Sequence, residues 1–402
     1  HDRTRRQRQM CIRDSGYTVQ AVRPFLSFHM PDTSSTQPTP TGRSSRRFAP
    51  KTMLRILFIL LVLSGVLFAY PVWRLGQWLL LPTWLNLAIT LPLFLSQFIA
   101  RVVLRKRHGR LAFVLRGAAD FFLGLSPVLL AGVLLGELSL TLFTLPPWIV
   151  ANAVLLATAV LGVYGLKKAW RPDVVEVTLP SPKLEKRLRF AQISDVHIGS
   201  RTSRFLKSII RRVNAEQAEF LCITGDFIDQ PGIGVDKLQV LTEFHGPIYY
   251  CTGNHERYED LEDIVQRLES LGVTVLRNRA VEVDGVQFIG IEDHESADQV
   301  ARVLPFIEIN PEAYSILLYH RPQGLEAAAR HGIDLKLSGH THAGQIVPFH
   351  LAVNRVFEYT RGLYQFENTS LYVNEGTGTW GPTLRLGTRS EITLFELSPA
   401  RG

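Results

Sequence analysis

An α/β domain behind an N-terminal four-helix transmembrane region is the fold class this sequence predicts, and three observations predict it. Four long apolar runs follow one another between residues 53 and 168. From residue 172 onward, short runs rich in Val, Ile and Phe alternate with amphipathic stretches of about a dozen residues, as strands and helices do in turn. Five small polar clusters each sit where one of the short apolar runs ends.

The apolar runs are Leu54–Trp73, Leu75–Ala100, Gly117–Gly136 and, within the longer stretch Leu138–Leu166, Pro147–Leu166. A span needs roughly 20 apolar residues. Four such runs in succession, nearly free of charge and without amphipathic period, match lipid better than a protein core. A cleavable signal peptide would explain only the first run, and no clear small-residue cleavage site follows it. Apolar residues make up 46% of the 402, high for a soluble enzyme, and these runs hold the excess.

Lys and Arg set the orientation. Arg43, Arg46, Arg47, Lys51 and Arg55 stand at the first run. Arg101, Arg105, Lys106, Arg107, Arg110 and Arg116 separate the second from the third, and Lys167, Lys168 and Arg171 follow the fourth. The other two connections hold only Arg74 and Glu137. That alternation predicts both ends inside, with the α/β part facing the cytosol.

The net charge of +8 is local: residues 1–53 carry ten Lys/Arg against three Asp. Rich in Arg, Ser, Thr and Pro, residues 1–52 read as a disordered basic arm. The run from Arg5 to Ser15 resembles a translated sequencing adapter, so the arm is taken as partly non-native, with Met30 or Met53 as the start. Without a fold signature or interleaved aromatics the arm is not read as a nucleic-acid binder. Residues 53–168 form the expected transmembrane domain and 172–402 the cytosolic domain. Of three cysteines, Cys222 and Cys251 lie in strand-like runs and read as reduced core residues, and with Cys11 they make no disulfide framework.

In the second part the predicted strands are Val174–Thr178, Leu188–Ile193, Phe220–Thr224, Ile248–Cys251, Val286–Ile291, Ser315–Tyr319, Leu335–Ser338, Leu371–Asn374 and Glu391–Phe395. The predicted helices are Ser203–Ala215, Val235–Phe244, Leu261–Leu271 and Pro322–His331. Five strand ends run into Asp195-Val196-His197, Gly225-Asp226-Phe227-Ile228-Asp229, Gly253-Asn254-His255-Glu256, His320 and Gly339-His340-Thr341-His342. In open α/β sheets the crevice beyond the carboxyl ends of the strands is the binding site, so the five tips can converge there. Asp195/His197 and His340/His342 are spaced so that, in an extended segment, both side chains of a pair point one way. Carboxylate, imidazole and an Asn carbonyl suit Mn²⁺, Fe²⁺ or Zn²⁺. No thiolate is on offer, which argues against a structural zinc site. His245, His294, His331 and His350 lack this placement and read as ordinary surface or core histidines.

This ordered set resembles the calcineurin-like metallophosphoesterase superfamily over about residues 188–345. The resemblance implies an α/β sandwich with two central sheets and a dinuclear centre of two divalent metal ions. Asp195, His197 and His342 would hold the first ion, Asn254, His320 and His340 the second, and Asp226 would bridge them. His255 would serve the leaving-group oxygen, oriented by Asp229. Two such ions clamp phosphoryl oxygens and acidify a water between them. The segments Arg361–Tyr364 and Gly376–Pro382 resemble the bacterial membrane-associated branch, which includes transmembrane proteins with a metallophosphoesterase domain and some UDP-2,3-diacylglucosamine pyrophosphatases. One departure matters: Gln230-Pro231-Gly232 follows Asp229, where protein phosphatases of the superfamily carry Arg-Gly. The missing phosphate-binding Arg weighs against a phosphoprotein substrate.

The expected function is therefore hydrolysis of a phosphodiester or pyrophosphate bond in a lipid-linked substrate, with UDP-2,3-diacylglucosamine the specific candidate. The expected location is a bacterial inner (plasma) membrane, crossed several times, and the bilayer and its lipids are the expected partners. A soluble phosphodiester such as a cyclic nucleotide is the enzymatic alternative. A ligand-binding signalling subunit is the alternative from another class, and the complete residue set argues against it.

Overall fold

The structure, a computed structural model, describes residues 55, 58, 59, 61–104 and 109–399. The basic arm, Cys11 and much of the start of the first predicted span lie outside the described residues. Against four predicted spans, three described helices are long and apolar enough to cross a membrane: Thr83–Val103, Arg110–Leu142 and Pro147–Trp170. Over its described residues from Leu61 the first predicted span is helical and runs through a π-helical turn, Gly65–Ala69, into the helix α1 (Tyr70–Trp78), past its predicted end at Trp73. The second starts later than Leu75, because the chain turns before Pro82 and restarts as α2 (Thr83–Phe98), which continues as a π-helical turn to Val103. The third, α3 (Arg110–Leu142), overruns its predicted limits at both ends, and α4 (Pro147–Trp170) overruns its C-terminal limit. Hydropathy marks only the part of a helix that suits lipid. The flanking polar residues are still helical, and Lys167 and Lys168 suit the negative end of the helix dipole.

Glycines let these apolar helices close on one another. A Cβ on Gly132 would stand 2.9 Å from Val154, and one on Gly136 2.7 Å from Trp78. Arg101 pairs with Asp120 at 2.6 Å, and Arg74 pairs with Glu137.

The remainder is built from β1 (Asp173–Ser181), β2 (Leu188–Ile193), α5 (Ser203–Ala215), β3 (Leu221–Thr224), α6 (Val235–Leu238), β4 (Ile248–Cys251), α7 (Asn254–Tyr258), α8 (Leu261–Ser270) and β5 (Val273–Val275). They are followed by β6 (Arg279–Val283), β7 (Val286–Gly290), α9 (Gln299–Val303), β8 (Tyr314–Leu318), α10 (Leu325–Arg330), β9 (Leu335–Ser338), α11 (His350–Val356), β10 (Gly362–Phe366), β11 (Thr369–Val373) and β12 (Glu391–Pro399). One mixed sheet has the order β1-β12-β2-β3-β4-β5 and the other β10-β11-β9-β8-β7-β6. In the first, β2 through β5 are parallel and β12 is antiparallel to β2; in the second, β7, β8, β9 and β11 are parallel.

Both sheets contribute to one core, in which Phe190, Phe220, Tyr249 and Phe395 of the first meet Phe288, Ile316, Leu337 and Tyr372 of the second. Tyr249 stacks on Phe288 with centroids 3.7 Å apart. The outer face of the first sheet is covered by α5 and α8 through Leu206, Ile209, Ile210, Ile264 and Leu268. The outer face of the second is covered by α9 and α10. Because the inner parallel strands are buried on both faces, their sequences are continuous apolar runs, which is why they are legible. Cys222 and Cys251 are buried and free inside this core.

Candidate metal centre

The carboxyl ends of β2, β3, β4, β8 and β9 open into one crevice. There Asp195, His197 and His342 place a ligand atom each within 4.8 Å of one another, and so do Asp226, His320 and His340. In the first group His197 Nε2 lies 3.2 Å from His342 Nε2, which is 3.3 Å from Asp195 Oδ1. In the second, His320 Nε2 lies 3.2 Å from Asp226 Oδ2 and 3.1 Å from His340 Nδ1. Asn254 and His255 open α7 beside them and line the same crevice. His245, His294, His331 and His350 belong to neither group.

The local backbone differs from the expected extended pairs. Asp195, His197, Asp226, His340 and His342 all have left-handed φ, between 48° and 73°. Such residues cost of order 1–3 kcal/mol each and persist only where their surroundings hold them. Here Asp195 N donates to Gly225 O at 3.0 Å, His197 N to Asp226 O at 3.1 Å and Ile198 N to Phe227 O at 2.7 Å. Two loops thus support each other in the conformation that turns their ligands inward. Close approach sets the glycine requirement: a Cβ on Gly339 would lie 1.9 Å from Ser194 Oγ and 2.3 Å from Asp195 Oδ2.

The donor set fits divalent cations. Asp195 Oδ1 and Asn254 Oδ1 are buried without a hydrogen-bond partner, a costly state that a cation in the crevice relieves. Burial holds His340 down to about 3 and, with His255 next, His197 well below the usual imidazole range, so both rings offer lone pairs. Burial also disfavours charge on His320, but Asp226 overrides it and lifts that ring to about 10. Burial raises the Cys222 and Cys251 thiols, which lie in strands β3 and β4 and belong to neither ligand group.

Asp229 is placed differently from its expected role. Its Oδ1 accepts from Ser200 N at 2.9 Å, and its Oδ2 lies 3.6 Å from His197 Nδ1, so its nearest described imidazole partner is a metal-group histidine, with the charge of His255 also felt there. Burial lifts its carboxyl to about 6. His255 is anchored instead through its backbone, whose N–H donates to Asp226 Oδ1 at 2.8 Å, with its ring 3.9 Å from Asp226 Oδ2 and edge-on to Trp380.

Several residues without a predicted role act here. Glu256 is fully buried, and its two oxygens accept from the backbone of Asp226, Phe227, Ile228 and Gly253 at 2.6–3.1 Å. Burial, then the nearby Asp226 charge, lifts its carboxyl to about 7 despite those donors. Its signal is its place in Gly253-Asn254-His255-Glu256. Trp380, in the Gly376–Pro382 segment, stands at the crevice mouth and is 60% exposed. Buried Arg201 and Arg385 carry no motif signal.

With this geometry in view, the comparisons agree on a class. Residues 188–344 match the family described as calcineurin-like phosphoesterase. An uncharacterized metallophosphoesterase of Aquifex aeolicus is 30% identical over 251 residues, covering 59% of this chain and 96% of that protein. The chain belongs to the calcineurin-like metallophosphoesterase family. It is also similar to an uncharacterized metallophosphoesterase of Helicobacter pylori, 35% identical over 57% of this chain, of whose length it spans 65%. A transmembrane protein with metallophosphoesterase domain from Danio rerio is 35% identical over 61% of this chain and 62% of its own.

Proposed function

We propose that the chain is a membrane-bound, metal-dependent hydrolase of phosphodiester or pyrophosphate bonds in an amphiphilic substrate. The observation that carries this reading is the composition of the crevice, a cavity of about 490 Å³. Asp226, Asn254, His255, His340 and His342 line its polar side. Ile346, Phe349, Val353, Phe357 and Trp380 line the rest, together with Leu123 from the membrane helix α3. A soluble diester has no use for such a wall, whereas a lipid-linked headgroup can lay its apolar part along it. The short helix α11 beside it has no buried residue, and Phe349, Leu351 and Val356 on and around it are exposed. A lipid pyrophosphate of the UDP-2,3-diacylglucosamine kind is the substrate to assay first.

The two groups would hold two divalent ions of the Mn, Fe or Zn kind, with Asn254 joining the second group and Asp226 facing both. When bound, such ions supply Lewis acidity toward phosphoryl oxygens and acidify water. The chain's own residues then do the rest. His255, at the crevice and partly exposed, is placed to pass a proton from its ring to a departing leaving-group oxygen. Asp229 orients His197, and Trp380 and Phe357 exclude water on the apolar side.

The test compares Val353→Asp and Phe349→Asp with the unaltered full chain in detergent, against bis-p-nitrophenyl phosphate and against a lipid pyrophosphate. The ratio of kcat/KM for the amphiphile over the small diester is expected to fall about tenfold or more, equivalent to about 1.4 kcal/mol of lost apolar contact. An unchanged ratio, with cyclic nucleotides turned over faster than any lipid, would shift the assignment to a soluble diester.

The orientation is proposed from charge alone. With the basic connections inside, the carboxyl terminus lies in the cytosol. A reporter fused after Gly402 that reports only from outside the cytosol would reverse that topology.

A further inference from the structure

The last two turns of the membrane helix α4 connect to the metal centre through two buried arginines, and both reach the same metal group. Arg201 donates through its guanidinium to Ala169 O, and its Cζ lies 4.7 Å over the Trp170 ring and 4.1 Å over the Phe205 ring. Its backbone N–H donates to His197 O at 2.8 Å. Arg385 donates from its backbone to Gly165 O at 3.1 Å. Its guanidinium donates to His342 O at 3.1 Å and stands 3.3 Å from His342 Nδ1. The same guanidinium donates to Gly376 O and Gly378 O, while Gly378 N donates to Asp195 O at 3.0 Å. All three members of the first group are thus tied to α4: His197 through Arg201, His342 through Arg385, and Asp195 through Arg385 and Gly378. Among the bonds of the described residues, the second group has no contact of its own with α4, and its one bond to a first-group side chain is that of His340 to Asp195. His320 Nδ1 bonds Thr224 O at 2.7 Å, His340 N donates to Asp195 Oδ2 at 3.0 Å, and Asp226 is fixed by Glu256 and His255.

The contact surface is made for close docking. A Cβ on Gly165 would lie 2.9 Å from Leu384 and 3.1 Å from Arg385 O, and one on Gly124 of α3 would lie 2.9 Å from Pro382. Burial lowers both guanidiniums, to about 9 for Arg201 and about 10 for Arg385. Arg385 donates to three backbone carbonyls, whereas Arg201 rests on one carbonyl and two aromatic faces, its Nε and Nη1, like Arg385 Nε, having no hydrogen-bond partner.

We infer that Arg201 and Arg385 are positioning residues that make the Asp195–His197–His342 group depend directly on the end of the membrane helix, while the Asp226–His320–His340 group meets it only indirectly, through the His340 N bond to Asp195 and the loop bonds from Asp195 and His197 to Gly225 and Asp226. Groups behind metal ligands set ligand orientation, and their loss typically costs 10–100-fold in metal affinity. The dinuclear centre is then complete only when α4 is docked, so detaching the helix removes one ion and not both.

The inference rests on the two groups holding ions, and its test needs no substrate. The full chain in detergent is titrated with Mn²⁺ alone, following bound metal per chain and the exchange-coupled EPR signal of a manganese pair. Gly165→Val wedges Leu384 away from α4, while Arg201→Gln and Arg385→Gln remove the links directly. Each is expected to weaken one ion about tenfold or more, leaving one tight ion and an uncoupled spectrum. Arg385→Lys, which cannot reach His342 and the Gly376 and Gly378 carbonyls together, is expected to fall in between. Leu268→Ala, in the distant core under α8, supplies comparable general destabilisation and is expected to retain both ions. Two tight ions with the coupled signal in the glycine and both glutamine variants would overturn the inference. So would loss of both ions together in those variants and equally in Leu268→Ala. An unaltered chain that binds fewer than two ions would overturn the metal-centre reading itself, and this inference with it.

Discussion

Asp226→Asn is expected to release more than half of the bound metal and to lower turnover by at least on the order of a hundredfold. The substitution keeps the size of the side chain but replaces one acceptor oxygen by a donor. That oxygen set is fully engaged: Oδ1 accepts from His255 N at 2.8 Å, and Oδ2 faces His320 Nε2 at 3.2 Å and His255 Nε2 at 3.9 Å. An amide N–H turned toward these imidazoles meets no carboxylate charge to hold a cation or to pair with His320. If Asp226 serves both ions, as proposed, metal analysis of the purified full chain should show occupancy falling below half, with far-UV circular dichroism unchanged. Retention of most of the metal would show that Asp226 serves one ion at most.

Glu256→Ala is expected to destabilise the chain by about 4 kcal/mol or more, read from the denaturant midpoint of the detergent-solubilised protein. Four buried backbone N–H groups lose their acceptor at once, and each unsatisfied group costs about 1–3 kcal/mol before water or relaxation offsets part of it. Against a typical total of about 5–15 kcal/mol, that is a large share. The same donors shape the turn that carries Asp226 and Asp229, so metal affinity should fall with stability. Glu256→Gln is the sharper variant, because it keeps the volume and replaces one doubly accepting oxygen by an amide group that faces N–H donors. A Glu256→Ala chain within about 1 kcal/mol of the original would mean that solvent replaces the carboxylate, and the supporting role would fall.

The strands that carry the centre were readable because burial on both faces gives them unbroken apolar sequences. Leu188–Ile193, Ile248–Cys251 and Leu335–Ser338 have the limits that pattern predicts. The short strands Val273–Val275 and Arg279–Val283 and the hairpin partner Gly362–Phe366 carry no such run, and they exist because a neighbouring strand offers them its edge. The N-terminal apolar part was legible as apolar runs but not as helices with ends. The turn before Pro82 and the overrun of Arg110–Leu142 depend on helix geometry and packing, which hydropathy does not measure.

For the site, the division of the ligands into two metal-ligating groups came from the resemblance to the calcineurin-like family, while the amino-acid sequence by itself determined which side chains stand at strand ends and that carboxylates, imidazoles and an amide together suit divalent ions. That information is local, because an apolar run followed by a polar tip is a property of neighbouring residues. Only the tertiary structure decided that the ligands sit in left-handed backbone, that Asp229 faces His197, and that Glu256 gathers four donors. The same holds for Arg201 and Arg385, which are joined to Ala169 and Gly165 across 32 and 220 residues of chain. An arginine's partners are set by which carbonyls the completed fold brings within about 3 Å, and no spacing along the chain encodes that distance.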